Sequence, residues 1–226
     1  MRAVLLSLAL LGLAAPAVAA PRKPAAPAAR DWTRMLVQLP DGAYRLGNPA
    51  AKVKLTEYLS LSCSHCAHFS QTGLPVLMRD YVRPGRVSIE FRHAVRDGFD
   101  LAASLLARCG GPARYIGDMD ALFRAQPQWI AKAEGFTPPS LPQAELLAAF
   151  ADATGMTALM AQRGLPPAKA RACLRDPAGQ KPLLAMAEDA FGARQLKGTP
   201  GFAINGQMTP VFAWEPLKPL IDAALR

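Results

Sequence analysis

Two cysteines separated by only two residues, Cys63 and Cys66, stand where one sequence period gives way to another. The run 53–61, Val-Lys-Leu-Thr-Glu-Tyr-Leu-Ser-Leu, alternates as a strand does and puts Val53, Leu55, Leu59 and Leu61 on one face. From residue 63 to 81 the spacing lengthens to three and four, and Cys66, Phe69, Leu74, Leu77, Met78 and Tyr81 form the apolar stripe of a helix. Cys63 therefore falls at a strand-to-helix junction. Two thiols this close, the first at a helix N-terminus, make a dithiol able to close and open as a disulfide. Pro75 removes one internal hydrogen bond from the helix and predicts a kink or break near Gly73.

The periods on either side extend this junction into an α/β chain. Residues 35–39 read as a short strand ended by Pro40-Asp41-Gly42, with 44–46 as its returning partner. After the turn at 83–86, residues 87–95 alternate as a second main strand. Strand, helix and strand then form a βαβ unit with parallel strands and a right-handed crossover. From 97 to 196 the helical period takes over. Leu101, Leu105 and Cys109 repeat every four residues, Tyr115, Met119, Leu122 and Phe123 mark the next helix, and Pro127 begins another. Ser140 with Gln143 reads as a capping box, short helices follow near 156–162 and 167–174, and Asp176-Pro177 supplies a cap and first-turn proline for a longer one. Residues 97–196 are thus expected to be an inserted helical domain with a small core of its own. Strand signals return at 198–210, where Asn205-Gly206 predicts a type I′ hairpin, and 215–225 reads as a closing helix.

Export governs how the other two cysteines are read. Arg2, the apolar run 4–13 and Ala17-Val18-Ala19 have the layout of a signal peptide over residues 1–19, and the run is too short for a membrane span. Residues 20–31 follow as a Pro/Ala linker. An oxidising compartment lets disulfides persist, so Cys109 and Cys173 are read as a second, structural pair. That bond closes a loop of about 65 residues, worth roughly 4 kcal/mol in the chain-entropy model. The net charge of +9 comes from scattered basic residues with no Lys/Arg block or aromatic interleaving, which makes nucleic acid a poor candidate partner. Haem attachment needs histidine where Ala67 stands. Structural zinc on Cys63, Cys66 and His65 or His68 lacks a second closely spaced ligand pair. No metal or cofactor is expected.

Glu57 shares the inward face of its strand with Val53, Leu55, Leu59 and Leu61. A carboxylate in an apolar stripe is desolvated and has a raised pKa, which suits proton transfer; a glutamate reaching water from a strand end is the plainer alternative. His68 is read as a surface residue, and His93, on the inward stripe of its strand, as a satisfied core histidine.

The stretch from Glu57 to Cys66 and the stretch Gly198-Thr199-Pro200-Gly201-Phe202-Ala203-Ile204-Asn205-Gly206, set around a helical insert, resemble the DsbA family of exported thiol:disulfide oxidoreductases, from about residue 53 to the C-terminus. The resemblance implies a thioredoxin fold over residues 32–96 and 197–226, with residues 97–196 inserted. It implies that Cys63 is the attacked sulfur, its thiolate stabilised by the helix N-terminus and by His65, that Cys66 is the buried partner, and that Glu57 is the buried acid. Thr199-Pro200 matches the family's cis-proline loop, which offers backbone groups to an extended peptide. Implied partners are reduced exported polypeptides, with reoxidation by a membrane redox protein and no stable membrane insertion of the chain itself, in the periplasm. Ser64 stands where the family often has proline, and threonine before the cis-proline also occurs in isomerase-type relatives. Disulfide isomerase or reductase is therefore the main alternative, and a non-redox peptide-binding module a lesser one.

Overall fold

The computed structural model describes residues 30–226, apart from the side chains of residues 143 and 144. The expected signal peptide and most of the linker lie outside the described residues. Among the described residues no helix is long and apolar enough to cross a membrane.

The alternating runs form one six-stranded sheet. Its strands are β1 (Leu36–Gln38), β2 (Tyr44–Gly47), β3 (Val53–Leu59), β4 (Val87–His93), β5 (Gly201–Ile204) and β6 (Gln207–Met208), in the order β1-β2-β4-β3-β5-β6. β3 lies between β4, to which it runs parallel, and β5, to which it runs antiparallel. The parallel pair is joined by α1 (Ser64–Leu77), completing the expected βαβ unit. Asn205 and Gly206 take φ of +50° and +84°, as a type I′ turn requires. The Asn205 side chain also accepts from the Lys54 N–H at 2.8 Å, which fastens the hairpin to β3.

Between β4 and β5 the chain forms α2 (Gly98–Cys109), α3 (Pro112–Arg124), α4 (Gln126–Glu134), α5 (Gln143–Thr154), α6 (Met156–Gln162), α7 (Pro167–Arg175) and α8 (Pro177–Glu188). α9 (Trp214–Leu225) closes the chain against α1. Asp176 caps α8 by accepting from the Ala178 N–H, as read from its sequence. Asp118, fully buried on α3, accepts from Arg114 and from Arg163 at the end of α6, so two guanidinium groups compensate the desolvation of one carboxylate. A disulfide joins Cys109 at the end of α2 to Cys173 on α7, with Cα atoms 5.9 Å apart.

The structure corrects four local expectations. The helical segment has no separate core: Leu55 and Ile89 of the sheet belong to one continuous buried cluster with Leu106, Phe123 and Phe150. Ser140 does not cap α5, because Pro142 occupies the cap position. Proline disfavours helical backbone in the residue before it, so no helix starts at Leu141. α1 continues through Gly73 and Pro75 without a break, and the irregularity appears further on as a π-helical turn, Met78–Val82. Gly73 instead serves close packing, since a Cβ there would lie 2.8 Å from Cβ of Trp214 on α9. Finally, β3 ends at Leu59 rather than Leu61: the Ala94 N–H reaches Leu59 O, and the Leu61 N–H turns away to the Asp100 carboxylate.

Replacing both Cys109 and Cys173 by serine is expected to lower the unfolding free energy by about 4 kcal/mol, through the entropy regained by the unfolded chain. Urea denaturation of oxidised wild type and variant checks this.

Candidate active site

β3 delivers the site and α1 orients it. Cys63 is the N-cap residue of α1, with extended backbone (φ −94°, ψ 122°), which sets its sulfur beside the first turn, where the Cys66 and His65 N–H groups favour its anion. Cys66 lies one turn further in and is fully buried, whereas Cys63 keeps 6% of its surface open. Both are thiols in this structure. Glu57, on the inward face of β3 as the alternation requires, is 2% exposed, and its Oε2 is buried without a hydrogen-bond partner.

Three ionisable groups are pushed apart by these surroundings. Hydrogen bonding from Cys66, then from the Thr199 hydroxyl and the backbone N–H groups of Cys66 and His65, outweighs burial and draws the Cys63 thiol down to about 4. Burial pushes the Cys66 thiol well above its ordinary value, and the neighbouring charges of Cys63 and Glu57 add to this. Burial alone raises the Glu57 carboxyl to about 8. At neutral pH the site therefore holds one thiolate, one thiol and one neutral carboxylic acid.

Thr199 faces Cys63 with two groups suited to two protonation states. Its carbonyl accepts from the Cys63 thiol at 3.1 Å, and its hydroxyl, which has no other partner, is the donor available to the thiolate. The Thr199-Pro200 peptide is cis. The loop also forms one wall of an open groove of about 430 Å³, lined by His65, Lys197, Gly198, Thr199, Phe212 and Pro216. The His65 ring is exposed at this groove, so its contribution to Cys63 is its backbone N–H. Phe212 presents 44% of its surface beside the loop.

The other histidines lie apart from the dithiol. His68 is exposed on α1. His93 is fully buried, with Nδ1 2.9 Å from Ser104 Oγ and Nε2 3.0 Å from the Tyr115 hydroxyl, and burial lowers its pKa well below the ordinary value. Cys109 and Cys173 are joined to each other, away from the pair. Sequence reasoning missed three groups that shape the site: Gln126, whose Nε2 donates to the carbonyls of Leu61 and Cys63, Phe212, and Asp100 beneath the loop 60–62. Gln126 and Asp100 each lie in the first turn of a helix, where a polar residue looks like ordinary terminal chemistry.

A parallel βα junction carrying a dithiol, faced by a cis-proline loop, defines a thioredoxin-type protein with a helical insertion. The thioredoxin family model matches residues 40–223, and the chain belongs to that family. A solved protein-disulfide isomerase from Novosphingobium aromaticivorans is 34% identical, with a TM-score of 0.78 over 83% of this chain and 100% of that one. The alpha-DsbA1 structure from Wolbachia pipientis, 22% identical with a TM-score of 0.65 over 80% of this chain and 89% of that one, shares the fold, so the chain is DsbA-like in architecture. A Rickettsia prowazekii protein provisionally named a protein-disulfide oxidoreductase is 27% identical over 85% of this chain and 65% of that protein. The chain spans slightly less than two-thirds of the length of the first curated relatives it matches.

Glu57 gives the site a testable stability signature. Its folded pKa lies above its unfolded one, so its contribution to stability is complete at pH 4.5 and is lost as pH rises to about 8. In the oxidised protein, where neither active thiol titrates, Glu57→Gln should leave stability near wild type at pH 4.5. It should raise it by on the order of 3 kcal/mol at pH 8. Denaturant unfolding at the two pH values measures the difference.

Proposed function

We propose that the protein is an exported thiol:disulfide oxidoreductase that donates its Cys63-Cys66 disulfide to reduced polypeptides in the periplasm. The observation that carries this reading is the unequal placement of the two sulfurs, Cys63 at the N-cap of α1 facing Thr199 and Cys66 fully buried, which lowers the first thiol's pKa and raises the second's. A stabilised Cys63 thiolate favours the reduced form, and a pair that favours its reduced form readily gives its disulfide away.

The steps follow from the geometry. A substrate thiolate attacks Cys63 Sγ, the Cys63–Cys66 bond breaks, and Cys66 leaves with the electron pair. Glu57, neutral below about pH 8 and near enough for its charge to act on Cys66, is the proton source for that sulfur in this reading. A second substrate thiolate then attacks the substrate sulfur of the mixed disulfide, and Cys63 departs as the stabilised thiolate. Two electrons pass from substrate to protein. One of the two substrate protons replaces the one taken from Glu57, and the other goes to solvent. The substrate chain lies extended in the groove beside Thr199-Pro200, with an apolar side chain against Phe212. A membrane redox protein reoxidises the pair.

Disulfide isomerisation is the second reading, favoured by the name of the 34% identical relative and by Thr199 before the cis-proline. The oxidised protein, mixed with a reduced unfolded peptide carrying two cysteines, is expected to transfer one disulfide per molecule, and Cys63→Ser to transfer none. If the protein keeps its own disulfide and, once reduced, rearranges scrambled substrates instead, the oxidase reading fails.

A further inference from the structure

The loop 60–62, between β3 and Cys63, is held from outside the sheet. Asp100 on α2, fully buried, accepts from the Leu61 N–H through Oδ1 at 2.7 Å and from the Arg96 N–H through Oδ2 at 3.1 Å. Arg96 then turns its guanidinium back across the loop, donating from Nε to Ser60 Oγ at 3.0 Å and from a terminal nitrogen to Ser62 Oγ at 2.8 Å. The held loop in turn presents the Ser60 N–H to Cys66 Sγ at 3.5 Å. We propose that Asp100 is a positioning residue for disulfide exchange: with Arg96 it braces the loop so that the Ser60 N–H meets Cys66 as its sulfur departs. The inference rests on Cys63 and Cys66 being the exchanging pair.

The chemistry gives the brace a direction. When a thiolate attacks Cys63, the electron pair of the broken S–S bond settles on Cys66, a buried sulfur that the Ser60 N–H meets with a hydrogen bond before a proton arrives from Glu57. The Ser60 N–H is a donor fixed in place for that moment, and the fixing is done by a carboxylate with two backbone bonds. Ionised Asp100 accepts through both oxygens. Protonated, it keeps one good acceptor and gains a donor, which is also what asparagine offers.

The surroundings allow this to be read by pH. Burial raises Asp100 to about 6, against the hydrogen bonds from Ser60, Arg96 and Leu61, and Asp97 on its own helix cap adds to the rise. From β4, His93 reaches it only through Ser104 and stays neutral. Tyr115 of α3, beyond His93, stays protonated. On the opposite side Cys63 titrates near 4, Glu57 near 8, and Cys66 higher still. Asp100 is the member of the brace whose charge changes between pH 5 and 7, and the exposed imidazole of His65, beside Cys63, is common to wild type and variants and so drops out of their rate ratio.

The test is the rate at which dithiothreitol reduces the oxidised pair, in wild type, Asp100→Asn and Arg96→Met, at pH 5 and 7. The reductant closes to its own ring as its two electrons pass to Cys63 and Cys66, so no protein substrate is needed. Dividing wild-type by variant rates cancels the ionisation of dithiothreitol. At pH 7 wild type should exceed Asp100→Asn by roughly tenfold, the factor expected for losing one hydrogen bond to a charged group, and the ratio should fall to about one to two at pH 5. Arg96→Met, an exposed change, should slow reduction by about threefold at both pH values, as expected for neutral-acceptor bonds. Equal rates at pH 7 for folded Asp100→Asn overturn the proposal, and so does a tenfold ratio that persists unchanged at pH 5. If Asp100→Asn does not fold, an undiminished Arg96→Met rate overturns it. These results are separate from substrate oxidation: a protein that oxidises no polypeptide still reports the brace.

Discussion

The unequal treatment of two sulfurs, one turn of helix apart, is the constraint on which the rest of the site depends. Cys63 lies where a helix begins, among N–H groups that have no helical partner, and Cys66 lies where the same helix meets the sheet. That one turn, with Thr199 facing only the first sulfur, separates a favoured anion from a disfavoured one. Glu57 belongs to the same logic, because the apolar face that excludes water from Cys66 also keeps a carboxyl neutral at pH 7.

The fold surrounds this junction from both ends of the chain. β3 has neighbours on both sides, so the strand that carries Glu57 toward Cys63 is fixed along its whole length. β5 brings Thr199-Pro200 to the dithiol across 136 residues of sequence, and the edge-to-face contact of Phe69 on α1 with Phe202 on β5, centroids 4.9 Å apart, locks that approach. The helical segment is bound into the same core as the sheet. Its α2 and α4 reach the active loop directly, through Asp100 and Gln126. The insertion thus contributes groups to the site as well as a roof over it.

Period and local chemistry made much of this legible in the sequence. Alternation placed Glu57 on the buried face, and Asn205-Gly206 carried its own turn type. Thr199-Pro200 was legible by family resemblance alone, since no local rule ties it to residue 63. Local rules failed where two competed: Ser140 satisfied a capping pattern, but Pro142 forbade the helix it would have capped. They were silent where tertiary contact decides. Asp100 has the address of an ordinary first-turn acid, and only the approach of Leu61 gives it another task. Whether the insert had its own core likewise depended on which faces met across the chain.

The central claim is that the junction stabilises a Cys63 thiolate, and ultraviolet titration of the reduced protein reads it directly. Thiolate absorbance near 240 nm, with Cys63→Ser as the blank, should rise with a midpoint near pH 4, at the value the hydrogen bonds from Cys66 and Thr199 set. A midpoint near 8.5, that of an unperturbed thiol, would contradict the account.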